Sequence, residues 1–411
     1  MPRSLSLILT VSAAFLTYFC MYGVRKPFTA AAYAEPVVLG LAFKELLVIA
    51  QVLGYMLSKF IGIKVTSELP PNRRAMAILL LVAIAELALV LFPLVPRPWS
   101  AVCLFLNGLP LGMVFGIVVG FLEGRRATEA LTAGLCTSFI LADGVTKSLG
   151  AWLLEQGVQE SWMPAAAGAI FLLPLLVGLA MLARVPPPDP ADVDARSARD
   201  AMTKADRRAL LGRWGFGLGG IVFVYLLVTI MRSYRADFGP QLWEALLGTK
   251  AAPEAFTQSE LWVAFGVLLA GGATVAIRDN RLAFFASLGI SAAGFVVLAT
   301  ALLAWRGGGL GPFGLMVALG LGLYLPYVAI HTTVFERFLA TTRERGNLGF
   351  LMSFADAFGY LGYVAAMVGR SAFAGRDDLL SYFVGMTVAT VVLSLVVLAV
   401  VVVWFLRRTR P

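Results

Sequence analysis

Two arginines lie inside apolar runs, half a chain apart, in the same local setting. Tyr18 precedes Arg25 by seven residues, and Tyr225 precedes Arg232 by seven. The two copies are offset by 207 in a chain of 411 residues. An arginine inside a hydrocarbon layer costs roughly 2.5–3.5 kcal/mol on insertion scales. Its planar fork of donors matches a carboxylate or phosphate in bidentate fashion. One such residue in each half, at matching positions, points to a shared oxyanion.

Other costly residues surround the pair. Lys59 follows Tyr55 by one helical turn and lies near the end of its apolar run. It either snorkels to the headgroups or reaches inward. Lys26 and Arg235 neighbour the two arginines, and Arg235, next to Asp237, reads as a rim position. Tyr18, Tyr22, Tyr55, Tyr225, Tyr324 and Tyr327 each need a hydrogen-bond partner when buried; a polar cavity and a helix–helix bond are both open to them. Asp143 and Lys147 are four apart, so on a helix they can neutralise each other or act as a switchable pair. Asp356 has Tyr360 at that spacing. Its partner must come from elsewhere, as a cation or a proton, because a desolvated carboxylate holds protons more tightly. Glu86 stands alone in its run. Glu123 with Arg125 and Glu336 with Arg337 sit at run ends, where interhelix salt bridges closing a gate are the expected role.

These residues need helices to position them. Hydrophobic residues make up 59% of the chain and charged residues 14%, against about 25% charged in a soluble domain. Mean hydropathy is +0.84. Apolar runs occur at 5–24, 42–62, 75–94, 99–122, 130–153, 162–184, 214–236, 258–277, 282–304, 310–335, 346–369 and 380–406. Each can cross a ~30 Å hydrocarbon core as a helix. The first run lacks a cleavage pattern and is expected to be retained. The expected fold is an all-α membrane protein with twelve transmembrane helices.

Twelve spans put both termini on one side. Basic residues concentrate between Arg184 and Arg213 and at Arg407, Arg408 and Arg410. The positive-inside rule therefore places both termini in the cytoplasm of a multi-pass inner-membrane protein. This bias also accounts for the net charge of +9 without nucleic acid.

The polar stretch 186–213 carries six basic and five acidic residues after a proline run. It reads as a cytoplasmic linker between an N-terminal six-helix bundle, 1–185, and a C-terminal one, 214–411. The halves repeat: Ala142-Asp143-Gly144 matches Ala355-Asp356-Ala357 at an offset of 213, as Glu123 matches Glu336. Parallel six-helix halves around a midplane site are the architecture of major-facilitator transporters. Gly108, Gly112, Gly116 and Gly120 recur every fourth residue, a stripe for close helix packing. Cys20, Cys103 and Cys136 lie inside spans, His331 is the one histidine, and no metal-ligand spacing occurs. No cofactor or metal is expected, nor a disulfide.

Several segments resemble one family. Phe15 to Phe28, with its tyrosines ending in Arg25-Lys26, is similar to the first helix of the organophosphate:phosphate antiporters, the glycerol-3-phosphate and hexose-phosphate transporters. Gly54 to Gly62, with Ser58-Lys59-Phe60, resembles their second helix. Asn107 to Met113 resembles the start of their fourth, and Val222 to Leu227 part of their seventh. The resemblance implies that Arg25 binds a substrate phosphate, that Lys59 lines the route, and that inorganic phosphate is the counter-substrate. The chain departs from the family at Val228, where the family's second arginine would stand, and at Asp143, which takes the place of a histidine. Residues 63–74 keep only the basic end of the major-facilitator loop signature. A divergent branch with the same fold is the expectation.

The expected function is a monomeric secondary transporter for a small organic anion, phosphorylated or carboxylated, working by alternating access. Arg25 and Arg232 bridge the anion; Lys59, Tyr18, Tyr22, Tyr55 and Tyr225 complete the site. A proton-coupled symporter using Asp143 or Asp356 is the alternative, and a transporter-like sensor is one of a different class. An enzyme is not expected, since no nucleophile or metal constellation is present.

Overall fold

The computed structural model describes residues 3–38, 40–122, 128–185, 204–342, 348–373 and 379–408. Among these, the regular elements are helices. In chain order they are α1 (Arg3–Arg25), α2 (Phe43–Glu68), α3 (Arg74–Leu91), α4 (Ala101–Leu122), α5 (Thr128–Glu155) and α6 (Met163–Ala183). There follow α7 (Lys204–Asp237), α8 (Gly239–Leu247), α9 (Pro253–Val275), α10 (Asn280–Arg306), α11 (Pro312–Ala329), α12 (Phe335–Thr342), α13 (Leu348–Phe373) and α14 (Leu379–Arg408). Each of the twelve apolar runs coincides with a helix. Among the described residues, nine helical segments are long and apolar enough by themselves to cross a membrane. The protein is an all-α, multi-pass membrane protein.

One boundary differs from the sequence expectation. Helix α7 begins at Lys204, ten residues before the expected span, so the end of the polar stretch 186–213 is helical and continuous with the span. Residues 186–203 of that stretch lie outside the described residues. Helix α1 ends at Arg25, one residue past the expected run 5–24. Pro27 has no backbone N–H and cannot continue the ladder; Pro27–Ala30 close instead into a 3-10 turn.

The chain gathers into two compact units. Unit 1 comprises Met1–Arg196, Asp237–Leu261 and Met367–Gly375. Unit 2 comprises Ser197–Ala236, Trp262–Ala366 and Arg376–Pro411.

In unit 1, α2 and α4 pack almost backbone to backbone. A Cβ on Gly108 would lie 2.2 Å from the carbonyl oxygen of Gln51, and one on Gly54 would lie 2.2 Å from that of Phe105. Without a hydrophobic force between helices in lipid, such close van der Waals approach is a main source of association. The glycine stripe of α4 thus fixes the α2 register that carries Gln51, Tyr55 and Lys59. The end of α1 is held by the same pair of helices. Asn107 Nδ2 donates to the carbonyls of Val24 and Ala85, both at 3.1 Å. Gln51 Nε2 donates to the Arg25 carbonyl at 2.7 Å and to Asn107 Oδ1 at 2.8 Å. These amides satisfy carbonyls at the C-terminal end of α1, which has no further turn to bond them.

In unit 2, α10 and α11 approach in the same way: a Cβ on Gly322 would meet the Gly294 carbonyl at 2.8 Å. Helix α11 then loosens. Pro326 removes one ladder hydrogen bond, and Thr332 Oγ1 donates back to the Val328 carbonyl at 2.8 Å. Both features compete with regular α-helix. Ile330–Val334 form a π-helical turn between α11 and α12.

Candidate functional site

Arg25 is the last residue of α1 and is buried, 3% exposed. Its guanidinium carbon lies 3.7 Å from the centroid of the Tyr55 ring, on α2, and 5.5 Å from that of Tyr22. A cation over an aromatic face at this range is worth roughly 0.5–2 kcal/mol, which lowers the cost of holding the charge out of water. Tyr18 shares a side-chain hydrogen bond with Tyr55. Its ring stands 5.5 Å from that of Tyr22 and 5.4 Å from that of Phe115. Lys59 Nζ approaches the Tyr55 ring at 5.4 Å and the Phe115 ring at 5.9 Å. Unit 1 therefore brings together Arg25, Lys59, Tyr18, Tyr22 and Tyr55: two cations near one tyrosine ring.

Unit 2 builds a counterpart. Arg232 on α7 is 8% exposed, and its guanidinium lies 4.4 Å from the Tyr327 ring and 5.8 Å from the Tyr324 ring. The Tyr225 ring stacks on that of Tyr327 at 5.2 Å. The Tyr225 hydroxyl donates to Asp356 Oδ1 at 2.6 Å. Arg235 behaves differently: its Nη2 donates to the Met316 carbonyl at 2.9 Å, and its guanidinium fills the space left by Gly320. That geometry ties Arg235 to α11 and leaves Arg232 as the arginine under the tyrosines.

Asp143 and Lys147 form the i,i+4 ion pair on α5 that their spacing suggests, both about 3% exposed. Beside them the sequence reading missed a set of residues. Lys26 pairs with Asp237, the last residue of α7. Lys44 Nζ donates to the carbonyls of Thr29 at 2.7 Å and Ala31 at 3.0 Å, and to Gln241 Oε1 at 2.9 Å. Lys26 and Lys44 both feel Asp237, and Lys26 also feels Asp143. Pro27 was the available signal, because the 3-10 turn it starts presents free carbonyls to Lys44.

Of the gate residues, Glu123 and Arg125 lie outside the described residues. Arg337 donates to Asn280 Oδ1, a neutral amide, at 2.7 Å, and Glu336 precedes it at the start of α12. Glu86, 7% exposed, sits against α6 where Gly168 has no side chain; a Cβ there would lie 2.0 Å from Glu86 Oε2.

Two solved structures resemble the chain over nearly its whole length. A D-xylose–proton symporter matches with a TM-score of 0.62 and 14% identity, over 97% of this chain and 96% of that one. A bacterial homolog of the human lysosomal transporter Spinster, solved inward-facing and unoccupied, matches at 0.57 and 15%, over 98% and 97%. At such identity the likeness establishes the fold, that of the major-facilitator transporters. No curated protein sequence matches the chain significantly. A family model does match, across residues 27–408. The chain belongs to that family, DUF5690, described as a family of unknown function.

Proposed function

We propose that the protein is a secondary transporter for a small organic anion, phosphorylated or carboxylated, moved by alternating access. One observation carries this reading: each unit buries one arginine under a tyrosine face, Arg25 on Tyr55 and Arg232 on Tyr327. The aromatic face supports the charge in a buried setting. A guanidinium's planar fork is suited to bidentate contact with an oxyanion. Lys59 adds a second cation beside Arg25, as expected for a doubly charged headgroup. The resemblance of α1 and α2 to organophosphate:phosphate antiporters favours phosphate as the exchanged anion. Rocking of two six-helix halves, 1–185 and 214–411, with both termini in the cytoplasm, is the motion proposed.

The test is a thermal-shift screen of phosphorylated and carboxylated metabolites on the wild type, Arg25→Ala and Arg232→Ala, each checked for folding by size exclusion. Stabilisation by at least one anion is expected in the wild type and lost in both variants. An anion that stabilises all three proteins equally would sink the reading. Phosphate-loaded vesicles then report exchange: uptake faster than into empty vesicles is expected.

A further inference from the structure

The one histidine of the chain lies in the π-helical turn, 6% exposed. We infer that His331 and Asp356, bridged by Tyr225, form a proton-binding site whose occupancy is linked to the charge at Arg232. That this proton is the coupling ion rests on the transport reading above; the site itself does not.

The geometry comes first. His331 Nδ1 lies 3.2 Å from the Tyr225 hydroxyl oxygen and 4.0 Å from Asp356 Oδ1. The Tyr225 hydroxyl donates its proton to Asp356. Its oxygen is therefore the acceptor towards His331, and Nδ1 must carry a hydrogen. In the neutral imidazole Nε2 then carries no hydrogen. Proton uptake adds H+ at Nε2 and leaves an imidazolium beside the Asp356 carboxylate, so the pair passes from one net negative charge to none. The π turn matters to this arrangement. Its extra residue per turn re-aims side chains, and such turns recur at functional sites. Here it sets the imidazole parallel to the Tyr327 ring, 9° apart at 5.7 Å, and to the Tyr225 ring, 15° apart at 6.1 Å.

The surrounding charges define the linkage. From α7 come Tyr225 and Arg232; from α11, Tyr324 and Tyr327; from α13, Asp356 and Tyr360, the last interacting with both Tyr225 and Tyr327. Helix α10 packs on the π turn and carries no titratable side chain between Arg281 and Arg306; α12, which continues the turn, carries Glu336 and Arg337. The part of α9 that lines a small pocket with Thr332 and Thr333, from Val267 to Thr274, carries none either. Tyr327 thus touches both Arg232 and His331. The Arg232 charge opposes protonation of His331, and an anion that neutralises Arg232 removes that opposition. By linkage the bound proton favours the anion by the same factor. Anion and proton then load together.

A single histidine gives a single imidazole signal, so the test is NMR of the full-length, [13C,15N]-histidine-labelled protein in detergent micelles, titrated with pH. No anion substrate is present, so failure here is separable from failure of the transport reading. Asp356→Asn is expected to lower the proton affinity of His331 at least tenfold. Arg232→Gln is expected to raise it at least threefold. An unchanged midpoint in Asp356→Asn overturns the site, and an unchanged midpoint in Arg232→Gln overturns the linkage. If a variant does not fold, the wild type still decides. Its neutral imidazole should carry the hydrogen on Nδ1, and a spectrum of the Nε2-protonated tautomer overturns the bridge through Tyr225.

Discussion

Lys26 and Asp237 stand 211 positions apart in the sequence and form a buried ion pair inside unit 1. Asp237 is 1% exposed and Lys26 7%. Lys26 follows the last residue of α1, where Pro27 ends the helix, and Asp237 is the last residue of α7. Each charge is therefore carried out to a helix end, and each would be costly there alone. Lys44 reinforces the same place through the Thr29 and Ala31 carbonyls.

Breaking this pair should destabilise more than removing it. Lys26→Met leaves a buried carboxylate and Asp237→Leu a buried ammonium, each at a cost of about 3–5 kcal/mol. The double variant leaves neither. In detergent, the melting temperature should fall clearly in each single variant and recover by more than half in the double one. Additive losses would show that the two residues act independently.

The sequence made some of this legible and not the rest, for a physical reason. The Asp143–Lys147 pair follows from local helix geometry, because i,i+4 neighbours share a face. Arg25 was legible through its cost: a cation deep in an apolar run must have a use. Tyr55 was named as a site tyrosine one turn before Lys59, with no link to Arg25. That it supplies the face under Arg25 depends on the α2–α4 register, set by Gly54 and Gly108. Lys26–Asp237 and Lys44 depend on where separate helix ends meet, which no periodicity carries. His331 was read only against metal spacing, and its pairing with Asp356 depends on a π turn. Arg232 and Arg235 fall near one face in an ideal helix; the notch at Gly320 separates their contacts.

The Tyr55 ring should matter more than its hydroxyl. Tyr55→Phe keeps the cation–π contact with Arg25 and removes the hydroxyl that bonds Tyr18. Tyr55→Leu removes the face, worth roughly 0.5–2 kcal/mol. For any anion that stabilises the wild type, Tyr55→Leu should weaken binding several-fold to tenfold or more by isothermal titration. Tyr55→Phe should stay within about threefold. Equal losses in the two would assign the effect to the hydroxyl.

The close approach of α2 and α4 predicts which glycines tolerate a side chain. Gly108→Val places atoms where the Gln51 carbonyl already is and must push the helices apart. Overpacking of this kind costs about 1–3 kcal/mol, and here it also displaces Gln51 from the Arg25 carbonyl. Gly215, on α7, has nothing within 4 Å of its missing Cβ. Gly215→Ala should be neutral or stabilising by up to about 1 kcal/mol through helix propensity. Melting curves of the two variants should therefore move in opposite directions or differ by several degrees. A Gly108→Val protein as stable as the wild type would place the α2–α4 contact elsewhere.

Asp143 and Lys147 allow a sharper distinction between a structural and a switching role. Both are about 3% exposed, and the aliphatic end of Lys147 rests on Gly239 at the start of α8, with a Gly239 Cβ position 3.5 Å from Lys147 Cε. A purely structural pair is replaceable: Asp143→Leu with Lys147→Met should regain most of the stability that either single change loses, and should keep anion-induced stabilisation. A switching pair is not. Opening it must release a charge that does something else, and Asp143 already acts electrostatically on Lys26. The apolar double variant would then fold as stably as the wild type yet lose transport in vesicles. The exchanged pair, Asp143→Lys with Lys147→Asp, separates the cases further. It keeps the i,i+4 attraction but moves the carboxylate one turn along α5, about 6 Å of helix rise, and so out of register with Lys26. We expect a stable protein with transport reduced at least tenfold. Full transport in the exchanged variant would reduce the pair to charge neutralisation within α5.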